Sequence, residues 1–124
     1  MRTKRPVFLD PRQIQLPVGA LASIGHRISG VVLALGVPVF VYLFASSLEN
    51  EQSFAQVASQ LRLVPIKAAL VVLVWALSHH VLAGVRHLLS DFDIGSPLRS
   101  ARRSAWLVNL GGVALATLAA VVLR

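Results

Sequence analysis

Ile28–Leu48 reads ISGVVLALGVPVFVYLFASSL and carries no charge in 21 residues. At a rise of about 1.5 Å per residue, such a run crosses a hydrocarbon core of about 30 Å. Two further runs have the same reach. One extends from about Ile66 to Leu89, interrupted by Lys67, His79, His80, Arg86 and His87; the other, Ser104 to Leu123, holds 20 residues without a charge. Strands of a membrane barrel would be about 10 residues long and would alternate in hydropathy, and these runs do neither. The expected fold is an all-α membrane protein with three transmembrane helices over 28–48, 66–89 and 104–123. They make a single membrane-anchor domain over residues 1–124, with no internal repeat or low-complexity segment.

Composition agrees. The chain is 56% hydrophobic and 14% charged, with a mean hydropathy of +0.72, where a soluble domain carries about 25% charge. A chain this short buries only about two-thirds of its surface on folding, so it cannot hide this much apolar side chain from water. That excludes a soluble enzyme with its own cleft. The absence of cysteine excludes a disulfide framework, a zinc-thiolate site or a cysteine-ligated cluster. The net charge of +7 is accounted for by membrane topology and calls for no nucleic-acid partner.

Lys and Arg set the expected orientation. Arg2, Lys4, Arg5, Arg12 and Arg27 precede the first span, and Arg86, Arg99, Arg102 and Arg103 fall at or after the end of the second. Only Arg62, Lys67 and Arg124 fall on the other side, beside Glu49 and Glu51. The positive-inside rule places a short N-terminal segment in the cytoplasm and the C-terminus outside an inner (cytoplasmic) membrane. The apolar part of the first run begins too far in, and is too long, for a signal peptide core of about 7–15 residues, so the N-terminus is expected to be retained. In the outer loop, Ser53-Phe54-Ala55-Gln56 has capping-box spacing, and Phe54, Val57, Ala58 and Leu61 recur at helical intervals. They predict a short amphipathic helix on the outer surface. Leu16-Pro17 is a fitting helix start, Pro38 interrupts the first span, and Asp91–Ser100, with Gly95, Ser96 and Pro97, reads as a turn.

Ionisable groups inside a span are costly and point to function. His80 and His87 lie two turns apart on one helix face, with Gly84 between them, while His79 is rotated by about 100°. A histidine deep in a span, with a glycine hollow one turn along, suits a haem whose iron takes the imidazole. An imidazole there also serves as a hydrogen bond between helices, and Arg86 and His87 can snorkel to the interface. Near the start of the first span, Ser23 and Arg27 share a face, next to His26 and the close-packing pair Ser29-Gly30. This group can grip a propionate, a phosphate, a quinone carbonyl or a lipid headgroup. In the third span, Gly111, Gly112, Ala116 and Ala120 form a stripe suited to helix packing.

Two stretches carry a resemblance over nearly the whole chain. The first is Arg5-Pro6-Val7-Phe8-Leu9-Asp10 followed by Ser23-x-x-His26-Arg27-x-Ser29-Gly30; the second is His80-x-x-x-Gly84-Val85-Arg86-His87 followed by Asp91. Together they resemble the cytochrome b556 family, the larger membrane anchors of succinate dehydrogenase. The resemblance implies that His80 is an axial ligand of haem b and that the second axial histidine comes from a partner anchor subunit. It implies that His26, Arg27 and His87 lie near the haem propionates, and that Ser23 and Arg27 line a ubiquinone site completed by the partner anchor and an iron–sulfur subunit. It also implies a separate flavoprotein subunit holding the succinate site, so this chain alone has no complete active site. Pro11, Ser90 and Asp93 depart from the family pattern, all outside the spacing that matters for haem. The competing readings are the anchor of a quinol:fumarate reductase and a membrane scaffold without redox function.

Overall fold

The computed structural model describes residues 14–124, all helical between short connections. Arg2, Lys4, Arg5 and Arg12, the Arg5–Asp10 motif and Pro11 lie outside the described residues. Helix α1 runs Val18–Ser47, α2 Glu51–Gln60, α3 Val64–Asp91 and α4 Leu98–Val122. Helices α1, α3 and α4 are long and apolar enough to cross a membrane.

Helix α1 starts at the expected place, with Pro17 in extended conformation ahead of its first turn, and continues unbroken through Pro38. Proline also opens α3, where Pro65 occupies the first turn and gives up no helical hydrogen bond. The second span thus begins two residues earlier than its apolar run. Helix α4 begins six residues earlier, because Arg99, Arg102 and Arg103 sit on helical turns and not in the connection. Hydropathy marks the membrane and not the helix, so a helix that runs out past the apolar stretch is read short.

The short helix α2 is capped differently from the sequence expectation. Asn50, in extended conformation, accepts a hydrogen bond from the Ser53 amide at 2.9 Å and another from its hydroxyl at 3.1 Å. Asn50 is therefore the cap and Ser53 the third helical residue. Phe54, Val57, Ala58 and Leu61 line one wall of a groove of about 700 Å³ that α2 shares with α1 and α3.

Helix α3 ends in a Schellman turn. The Ile94 amide donates to Leu89 O at 2.9 Å and the Asp93 amide to Ser90 O at 3.0 Å. The residue at the left-handed position is Asp93, with φ 59°, where glycine is the usual choice. An L-residue other than Asn or Asp pays about 1–2 kcal/mol there. Asp93→Gly is therefore expected to stabilise the protein by up to about 1 kcal/mol, and Asp93→Val to destabilise it by about 1 kcal/mol or more. Thermal unfolding of the assembled protein in detergent measures both, and equal midpoints for the two variants would contradict the argument.

Helix α3 packs against both α1 and α4, which also touch one another. Among the described residues the buried ones are small: Ala22, Ser29, Ala76, Ala83, Ala105, Val108 and Gly112, with His79 the one large exception. Large apolar side chains such as Leu35, Phe40, Leu107 and Leu118 face outwards. This is the packing of helices in lipid, where small residues let backbones approach and bulky ones meet acyl chains. Gly36 is one such approach, since a Cβ there would overlap Leu73 of α3.

Candidate functional site

The polar residues gather where α1 and α3 cross, in the half of the bundle where α1 begins and α3 ends. Ser29 is fully buried there. Its hydroxyl donates to the carbonyl of His26 at 2.8 Å, one turn back on α1. His80 approaches from α3, its Nδ1 lying 3.1 Å from Ser29 Oγ and 3.1 Å from the His26 carbonyl. A carbonyl only accepts, and the single Ser29 proton is already used on it. In the neutral imidazole Nδ1 is therefore the donor, which leaves the lone pair on Nε2. A metal-ligating histidine is held in this way, with its far N–H fixed by a backbone carbonyl and its near nitrogen available. The residues present thus fit an axial iron ligand at His80.

Gly30 makes this contact possible. A Cβ there would lie 3.2 Å from His80 Cε1, tighter than van der Waals contact. The hollow beside Gly84 is also present, but the His26 side chain rests against it, with Nε2 3.7 Å from where a Gly84 Cβ would stand. The His26 ring stacks on His80 at a centroid distance of 4.1 Å and an interplanar angle of 17°. His87 follows, tilted by 58° at 5.3 Å from His26. Three of the residues singled out in the sequence, His26, His80 and His87, thus form one imidazole cluster. The close crossing of α1 and α3 at Ser29 and Gly30 brings His26, three residues before Ser29, over Gly84.

Ser23 and Arg27 lie on α1 beside this cluster. Ser23 is half-buried and Arg27 exposed, and neither has a hydrogen-bond partner among the described residues. They remain neighbours on one helix face, as their spacing of four requires.

Two features were not legible as sites from sequence. His79 is 2% exposed, and its Nε2 lies 3.1 Å from Asn109 Oδ1 on α4. Its Nδ1 is buried without a partner. Asn109 was findable, as the one amide in an otherwise apolar span, since an amide in hydrocarbon needs a partner. Arg86 does not snorkel freely. Its Nε donates to Ser104 Oγ at 3.1 Å and its guanidinium also reaches the Ala101 carbonyl at 3.4 Å, tying α3 to the start of α4. Of the small residues in the third span, Gly111 and Gly112 serve packing, since Cβ atoms there would lie 3.0 Å from Leu82 and 3.2 Å from His79 Cβ.

The chain matches the family described as succinate dehydrogenase/fumarate reductase transmembrane subunit over residues 1–120. It is 39% identical over 110 residues to a succinate dehydrogenase cytochrome b556 subunit of Coxiella burnetii, covering 87% of each chain. A protein of the same description from Paracoccus denitrificans is 30% identical over 125 residues, covering 98% of this chain and 93% of its own. The mitochondrial succinate dehydrogenase cytochrome b560 subunit of Mus musculus is 38% identical over 98 residues, which cover 77% of this chain and 56% of that protein.

Proposed function

The chain belongs to the succinate dehydrogenase/fumarate reductase transmembrane-subunit family, and on that premise we propose that it binds haem b through His80 and forms part of a ubiquinone-reduction site as an anchor of succinate dehydrogenase. The observation that carries the reading is the hydrogen bonding of His80, whose Nδ1 is tied to Ser29 and the His26 carbonyl while Nε2 keeps its lone pair.

The residues divide the work. His80 would hold the haem iron through its imidazole, with a further histidine supplied by the partner anchor subunit. When bound, haem b supplies a one-electron carrier within the bilayer. His26, His87 and Arg27 offer donors to the propionate carboxylates, with Arg27 contributing a charge-assisted hydrogen bond. Ser23 donates a hydrogen bond to one quinone carbonyl. Arg27, one turn along, holds positive charge where negative charge develops on the ring oxygens. Electrons come from an iron–sulfur subunit, which is supplied by a flavoprotein subunit where succinate is oxidised.

A reduced-minus-oxidised spectrum of the purified complex tests the proposal. The expected result is a low-spin b-type haem with two imidazole ligands. A complex with neither a Soret band nor quinone-dependent activity would leave a scaffold as the remaining reading.

The proposed orientation places the α1 start, with Arg27, Arg86, Arg99, Arg102 and Arg103 around it, in the cytoplasm. The loop holding Glu49 and Glu51 then faces outwards, and α2 lies along the outer surface. Reporter fusions at Gln52 and Ser96 are expected to report opposite sides of the membrane, and the same side for both would sink this topology.

A further inference from the structure

We infer that His79 and Asn109 form a positioning pair that fixes the rotation of α3 from the α4 side and thereby aims the imidazole of His80. The inference rests on the reading of His80 as the haem ligand. Successive residues on a helix diverge by about 100°, so two adjacent histidines reach two different neighbours. His80 is bonded to α1, through Ser29 and the His26 carbonyl. His79 is bonded to α4, through Asn109. Rotation of α3 about its axis breaks one of these contacts in either direction.

The His79 ring has no freedom to compensate. On one side a Cβ at Gly25 of α1 would lie 2.6 Å from its Cε1 and 2.7 Å from its Nε2. On the other, a Cβ at Gly112 of α4 would lie 3.2 Å from its Cβ and 3.5 Å from its Cδ2. Trp75 closes a further side, with ring centroids 5.5 Å apart. The ring is thus slotted between glycines on two different helices. Because Nδ1 has no partner, the bond at Nε2 alone specifies how the ring sits in that slot. Asn109 lies between Val108 and Gly112, both buried in the interface, so its amide is itself held in place. His79 ligates nothing in this reading; it acts through His80.

The test compares complexes carrying Asn109→Leu, His79→Phe and the two together. Asn109→Leu leaves both nitrogens of a buried imidazole unpaired and is expected to lower the yield of assembled complex. The double variant replaces both partners by apolar groups of similar shape, which costs a fold little, and is expected to regain that yield. The discriminating readout is the electron paramagnetic resonance signal of the oxidised low-spin haem, together with haem retention on dilution in detergent. The double variant is expected to show a shifted, broadened signal and about tenfold weaker haem retention, the lower end of the effect of lost outer contacts at metal sites. A wild-type signal and wild-type retention in the double variant would overturn the inference and leave the pair as a packing contact. Asn109→Gln keeps the amide one methylene further out and is expected to shift the signal less. Should the double variant fail to assemble, an unshifted signal in Asn109→Gln overturns the inference instead. A wild-type low-spin signal in a parallel His80→Leu complex would overturn the ligand reading itself.

Discussion

With leucine at residue 80, the assembled complex is expected to lose its native low-spin b-type spectrum, leaving either no haem or a high-spin form. The loss is chemical and not structural. In the native protein the Ser29 hydroxyl already bonds the His26 carbonyl at 2.8 Å, so removing the His80 imidazole strands neither group. Leucine fills the space with apolar atoms, and no buried polar atom is orphaned. The complex should therefore assemble while failing to hold iron. The neighbouring histidines are the controls. His79→Leu removes a bond to Asn109 and shifts the spectrum, but keeps a low-spin haem. His87→Leu, at the far edge of the imidazole cluster, perturbs the spectrum and also keeps it low-spin, because a residue near the propionates tunes and does not ligate. Optical and electron paramagnetic resonance spectra of the three complexes decide the matter. If His79→Leu removed the low-spin form and His80→Leu retained it, the ligand would be on the wrong face of α3.

Ser23→Ala and Arg27→Leu are each expected to lower succinate:ubiquinone activity by about 10²–10³, the usual cost of losing a preorganised donor to developing negative charge. Reduction of a soluble dye that accepts electrons upstream should survive, since the flavin and clusters belong to other subunits. Neither side chain has a hydrogen-bond partner among the described residues, so the substitutions break no bond within the described fold. The contrast between quinone and dye activities then isolates the quinone step. Arg27→Lys should restore activity only in part, because a point charge lacks the planar fork of the guanidinium. Wild-type quinone reduction by both variants in an assembled complex would remove the quinone role and return the pair to a propionate clamp or a lipid anchor.

The three spans were plain in the sequence because hydrocarbon demands long apolar runs and little else satisfies it. Helix ends were less plain. The first turns of α4 carry Arg99, Arg102 and Arg103 and read as a connection, although arginine is a good helix former. The cap of α2 was read three residues late, because Ser53 and Gln56 match a capping pattern that Asn50 pre-empts. Within the site, the shared face of His80 and His87 followed from helical spacing alone. The His26 contact did not, since it depends on how closely α1 and α3 cross at Gly30. The role of His79 was hidden for the same reason: Asn109 lies thirty positions away, on a helix whose rotation no single-span pattern records.

Small side chains at the helix crossings have a thermodynamic consequence. Ala22, Ala76, Ala83, Ala105 and Val108 are the buried apolar residues among those described. Parting the helices inside a bilayer would transfer these few methyl groups to lipid and almost nothing to water. The large positive heat capacity of unfolding in soluble domains arises from hydrating apolar surface, and that source is missing here. The free energy of helix separation should therefore vary almost linearly with temperature, without the dome that gives a soluble protein a temperature of greatest stability. The protein would resist cold as a packed solid does, through dispersion contacts and a handful of hydrogen bonds whose strength does not fade on cooling.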